Sequence, residues 1–174
     1  MYTTLREVLE EADQLRMAIG AFNTHNLEMV SAIIRAASNQ KTPVIVQTSE
    51  GTATYVGMRT LVAVVTSLAK EYGVDAVLHL DHAKDWDTIR KAVDSGYSSV
   101  MYDGSALPLK ENILGTKRVV AYAHAAGTSV EAELGTVGGT EDGIVVHADQ
   151  VRLTDPDDAA EFIEKTGIDA LAVA

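Results

Sequence analysis

"AVLHLDHAKDWDTIRKAVDSGYSSVMYD", residues 76–103, reads as one complete strand–helix–strand unit. The apolar run Ala76–Leu80 has strand length and ends in Asp81 and His82. Asp85 then stands as the N-cap of a helix that stops at Gly96. A second apolar run, Ser98–Tyr102, delivers Asp103 at its end. Both strands therefore finish in ionisable groups. In parallel α/β architectures the strand C-termini are where ligands and catalytic residues collect.

The same unit recurs outward in both directions. Strand-length runs fall at Met17–Phe22, Val44–Gln47, Ser129–Glu133 and Asp169–Val173, in addition to the two above. Helical stretches lie between them. "NLEMVSAIIRAASNQ" puts Leu27, Val30, Ile33 and Ile34 on one face, and "MRTLVAVVTSLAKEYG" closes on Gly73. "KENILGTKRVVAYAHAAG" closes on Gly127, and Asp155-Pro156 supplies a cap and a first-turn proline. After a leading amphipathic helix in "MYTTLREVLEEADQ", six strand-length runs alternate with helical stretches in a repeated βα order. Repeated βα units predict a parallel sheet covered by helices. Two architectures satisfy that pattern: an open doubly wound sheet, and a (β/α)8 barrel of which about six units are present.

Composition narrows the function classes. The 174 residues suffice for one domain with a real core, and no linker or low-complexity segment divides them. The net charge of −11 argues against nucleic acid and anionic membranes as partners, though one local site can still take a phosphorylated small molecule. With no cysteine there are no disulfides or thiolate metal sites, which fits a cytoplasmic protein. No apolar run reaches the length of a membrane span.

The strand ends themselves favour the barrel. Asn23 follows the first run, Ser49 the second, Asp81 and His82 the third, Asp103 the fourth, and Glu133 ends the fifth behind Glu131. An open sheet binds at one switch point, whereas a barrel gathers groups from many strands. No strand is followed by a G-x-G-x-x-G turn, so a dinucleotide site is not expected.

Taken in order, "AFNTHNLE", "PVIVQTSEG", "HLDHAKDWDTIRKAVDSGYSSVMYDGSALP", "SVEAELGTVGGTEDG" and "TGIDALAVA" resemble the class II, zinc-dependent ketose-bisphosphate aldolases. The resemblance runs from end to end of the chain. It implies a (β/α)8 barrel and reversible cleavage of fructose 1,6-bisphosphate to dihydroxyacetone phosphate and glyceraldehyde 3-phosphate. Tagatose 1,6-bisphosphate is the alternative substrate. It also implies a zinc ion, a monovalent cation in addition, and a homodimer or homotetramer.

Residue by residue, the resemblance makes His82 a zinc ligand and Asp81 the acid/base for the C4 hydroxyl. Glu141, in "GGTEDG", becomes the residue that exchanges the proton at C3. Glu133 becomes a carboxylate near the metal, and Asn23, Ser49 and Asp103 become substrate-side positions. Each has a plainer reading beside it. Asp81 can cap the next helix, Ser49 can cap a turn, Asp103 can be structural, and Glu141 and Asp142 can be an exposed acidic loop. His79, two residues before Asp81, points to the same side of its strand and is read as an orienting residue of the interior. Glu131 is read as its interior partner, and His25 as a rim residue. His124 and His147 are expected on the surface, and Trp86 in helix packing.

The family holds zinc with three histidines, and His82 matches one of them. The other two, with strands seven and eight and the phosphate-binding loops, are expected beyond "DALAVA". Two other classes of reading stand beside the enzyme: a non-catalytic aldolase-like subunit, and an unrelated six-stranded phosphate-binding domain. Scattering of Asn23, Ser49, His82 and Glu133 in space would favour the latter.

Overall fold

A computed structural model describes residues 1–136 and 151–174 in full, and the backbone alone of 139–141 and 144–146. The elements are α1 (Leu5–Leu15), β1 (Ala21–Asn23), α2 (Leu27–Gln40), β2 (Val44–Thr48), α3 (Glu50–Val56), α4 (Met58–Tyr72), β3 (Ala76–Ala83), α5 (Trp86–Ser95), β4 (Ser99–Tyr102), α6 (Leu109–Ala125), β5 (Ser129–Leu134), β6 (Gly139–Glu141), β7 (Ile144–Val146), α7 (Pro156–Thr166) and β8 (Ala170–Val173). Six strands form one sheet in the order β1-β2-β3-β4-β5-β8, and every neighbouring pair is parallel. β6 and β7 make a separate antiparallel hairpin.

Helix boundaries follow the local chemistry. Asp85 accepts from the Thr88 amide at the start of α5, and Asp155 does the same for Asp157 and Asp158 at the start of α7. α5 ends on Gly96 and α4 on Gly73, both in the left-handed conformation that glycine adopts without strain.

Strand alternation sorts the side chains. Val44, Val46, Leu78, Leu80, Val100 and Val130 pack outward against Val30, Ile34, Leu61, Val65, Ile89 and Val119 of the helices. Ile34, Leu61, Leu78, Leu80 and Ile89 are wholly buried, each worth about 2 kcal/mol of burial. The other face carries Ile45 and Gln47, Val77, His79 and Asp81, Ser99 and Met101, and Glu131 and Glu133.

α1 sits over the N-terminal end of that second face. Its Leu5 and Val8 pack with Ile45 of β2, Val77 of β3 and Ala170 of β8. β2 and β8 are four strand spacings apart, roughly 19 Å on a flat sheet. One short helix can gather both because the sheet curls around it, giving a half-barrel with a concave inner face. β1 and β8 are its edges among the described residues, where Phe22 and Val173 stand exposed.

Three details differ from the expectation. The first strand is Ala21–Asn23 and does not extend back over Met17–Gly20. A short helix, α3, follows β2 directly. The expected glycine-rich loop contains the β6–β7 hairpin.

Candidate active site

The concave face changes character along its length. At the N-terminal end it is the apolar floor under α1. Next comes a buried polar layer. His79 is 1% exposed, and its Nδ1 lies 2.8 Å from Ser99 Oγ. Its Nε2 has no hydrogen-bond partner and faces Glu131 Oε2 at 3.6 Å. Burial, with the charge of His82 adding to it, pushes His79 down to about 3, so the ring is neutral. Burial raises Glu131 to about 7, with Asp81 and Glu133 adding and His82 opposing. His79 thus holds the interior position expected of it.

The rim lies above this layer. Adjacent strand residues normally point to opposite faces, yet Asp81 and His82 both reach the same cluster. The reason is local backbone geometry. The pairing of β3 with β4 slips between Leu80 and Ala83, and His82 takes φ 108°. A positive φ at a non-glycine residue costs roughly 1–3 kcal/mol and marks functional sites. This bulge turns the imidazole back over Asp81.

Three carboxylates then surround His82. Its Nε2 is 3.7 Å from Asp81 Oδ1, and its Nδ1 is 3.5 Å from Asp103 Oδ2 and 3.6 Å from Glu133 Oε2. The facing Asp103 carboxylate raises the imidazole most. Burial opposes it, the charges of Asp81 and Glu133 add to it, and His82 rises to about 9. Burial would raise Asp103, but the facing His82 imidazole and the hydrogen bonds from Ser105 outweigh it, and Asp103 falls well below the usual carboxylate range. Ser105 donates to Asp103 Oδ1 from both its Oγ (2.6 Å) and its backbone N–H (3.1 Å).

Asp81 is held from the first two strands. Asn23 Nδ2 donates to Oδ2 and Gln47 Nε2 to Oδ1, each at 3.1 Å. Two neutral amides fix the carboxylate without neutralising it, as suits a group that must accept a proton. No sequence motif points to Gln47. It shares the inward face with Ile45 and pairs in register with His79, so strand period was the available signal.

The structure brings Asn23, Asp81, His82, Asp103 and Glu133 together. Ser49 is engaged differently: its Oγ accepts from the Thr52 amide and caps α3. Glu141 ends β6, with its side chain outside the described residues, as are Asp142 and His147. His124 is more than a surface residue, because its Nε2 lies 2.9 Å from the buried carboxylate of Asp169.

One ring nitrogen of His82 and one oxygen each of Asp103 and Glu133 lie within 4.8 Å of one another. Imidazole and carboxylate are both donors for zinc and similar divalent ions. A cation would also relieve the mutual repulsion of the carboxylates. The donor set therefore fits a divalent metal. Among the described residues, no single helix is long and apolar enough to cross a membrane.

A family model described as fructose-bisphosphate aldolase class-II matches residues 3–174. The fructose-bisphosphate aldolase of Giardia intestinalis is 46% identical over 172 residues, covering 98% of this chain and 52% of that protein. That of Staphylococcus aureus is 44% identical, covering 98% of this chain and 60% of its own length. Among solved structures, the YdjI aldolase of Escherichia coli K12 superposes with a TM-score of 0.86 at 36% identity, over all of this chain and 62% of that one. The fructose-bisphosphate aldolase of Campylobacter jejuni gives 0.81 at 30% identity, over 97% of this chain and 56% of that one. The chain thus spans between about half and three fifths of the length of the curated relatives it matches.

Proposed function

The chain belongs to the class II fructose-bisphosphate aldolase family, and we propose that it carries the acid–base group and part of the metal site for reversible cleavage of fructose 1,6-bisphosphate. The observation that carries this reading is the convergence of Asp81, Asp103 and Glu133 on His82, with Asp81 oriented by Asn23 and Gln47. In this reading residues 1–174 form six strands of a (β/α)8 barrel with the helices that connect them. The whole protein acts in the cytoplasm as a homo-oligomer on a phosphorylated ketose. Family membership supports each of these.

His82 and Glu133, joined by Asp103, which the sequence places on the substrate side, would hold a divalent ion, zinc by family. When bound, that ion supplies Lewis-acid polarisation of the substrate ketone. The remaining chemistry is assigned to side chains. Asp81 accepts the proton of the C4 hydroxyl as the C3–C4 bond breaks and the C4 aldehyde forms. The bonding pair passes into the three-carbon fragment, and Glu141 delivers a proton to C3. In condensation the same groups run in reverse. Asn23 and Gln47 hold Asp81 in the orientation that reaches the hydroxyl. Asn23 and Ser49 are the proposed substrate contacts on the first two strands.

The test is release of triose phosphate from fructose 1,6-bisphosphate by the full-length protein, with and without EDTA. Release that EDTA abolishes and zinc restores supports the reading. No release, or release that EDTA leaves unchanged, defeats it. Running tagatose 1,6-bisphosphate in parallel identifies the sugar, since the two differ in configuration at one carbon.

A further inference from the structure

We propose that Asn112 is a positioning residue that sets Asp103 and Glu133 together, an inference that rests on reading their cluster as a divalent-cation site. Asn112 lies in the first turn of α6 and is 1% exposed. A buried amide in a helix needs a reason, because burying its polar atoms costs free energy unless they are paired. Here both ends are used. Nδ2 donates to the backbone carbonyl of Glu133 at 3.0 Å, and Oδ1 accepts from Thr116 Oγ1 at 3.1 Å.

The same Oδ1 lies against Gly104, the residue after Asp103. A Cβ on Gly104 would fall 2.3 Å from it. Gly104 has no positive φ, so its backbone would accept another residue. The close approach of Asn112, and of the Tyr102 ring at 3.0 Å, is what excludes one. One side chain thus abuts the segment that carries Asp103 and is bonded to the strand end that carries Glu133. The hydroxyl of Thr116 holds it in place. Groups behind metal ligands commonly set affinity by fixing the ligands' positions.

The test is Co2+ titration of the full chain, read by visible absorption and by calorimetric affinity, for Asn112→Ala and Gly104→Ala. The first removes the tie. The second drives a methyl group into Oδ1. Both are expected to weaken Co2+ binding about 10-fold and to change the absorption band. Ile89→Val trims the core against the outer helices. It is expected to lower the melting temperature and leave Co2+ affinity within about twofold, as a merely structural effect would. Wild-type affinity in both site variants, or an equal loss in Ile89→Val, overturns the proposal. If Asn112→Ala does not fold, Gly104→Ala decides it. A wild-type chain that binds no Co2+ overturns the cation-site reading instead. The tie itself is then read from the backbone amides of Glu133 and Leu134 in Gly104→Ala. Shifts there support it, and unchanged amides overturn it.

Discussion

The two ends of the curled sheet each bury charge, and they balance it in opposite ways. At the N-terminal end, one carboxylate, Asp169, is 1% exposed and fully answered. Arg6 forms an ion pair with it, His124 Nε2 lies at 2.9 Å, and the Val130 amide donates to it at 2.7 Å. At the C-terminal end the ratio is reversed. Asp81, Asp103 and Glu133 crowd His82, Glu131 lies just beneath, and the exposed Lys84 ammonium stands 3.9 Å from Asp103. The first arrangement is complete as it stands and acts as a fastening between α1, α6 and β8. Among the described residues, the second carries an excess of negative charge in a half-buried place, which is costly. A buried cluster that balances is structural, and one that does not points to chemistry.

The largest expected effect sharpens this contrast at the rim. Asp81→Asn keeps the size of the side chain and removes the proton acceptor. We expect kcat of the full-length protein to fall on the order of 10³-fold, with the melting temperature changed little, in a steady-state assay and a thermal melt. The mirror experiment is Asp169→Ala. It leaves Arg6 and His124 without their carboxylate and should cost about 3 kcal/mol in urea unfolding, with kcat unchanged. If Asp169→Ala abolished turnover while preserving stability, the division between the two ends would be wrong.

Glu133→Gln comes next. Zinc affinity measured by competition with a chelator should fall by roughly 100-fold. The metal-free protein should be at least as stable as wild type, because one of the crowded charges is gone. A clear loss of metal-free stability would mean that the rim is balanced after all.

The smallest effect lies outside both clusters. The Asp85 carboxylate is held below its ordinary range, first by the Thr88 side chain and then by the Thr88 amide. A depressed folded value means its stabilisation is present above the unfolded pKa and is lost as pH falls through the folded one. Acid unfolding of Asp85→Asn should therefore lack a small part of the wild-type sensitivity below about pH 4.

Much of this was legible from residue order, for identifiable reasons. The βα repeat shows in strand-length apolar runs separated by capped helices, because Asp85, Gly96 and Asp155-Pro156 act locally. The rim residues show because each stands at the end of a run. The bulge at His82 was not legible: positive φ at a histidine is imposed by tertiary pairing with β4, and local propensity argues against it. Helix α3 was hidden because Ser49 reads equally well as a turn residue. Asn112 carries no signal either, since a polar residue in "KENILGTKRVV" looks solvent-facing until Glu133 and Gly104 are placed beside it. His124 looked like surface because its partner, Asp169, lies 45 residues further on.

The most direct test of the unbalanced rim is an anomalous-difference map at the zinc edge from crystals of the full-length protein grown with zinc. The account predicts a peak about 2.0–2.1 Å from a ring nitrogen of His82, within the group that includes Asp103 and Glu133. Zinc bound elsewhere, with His82 free of it, would contradict the account.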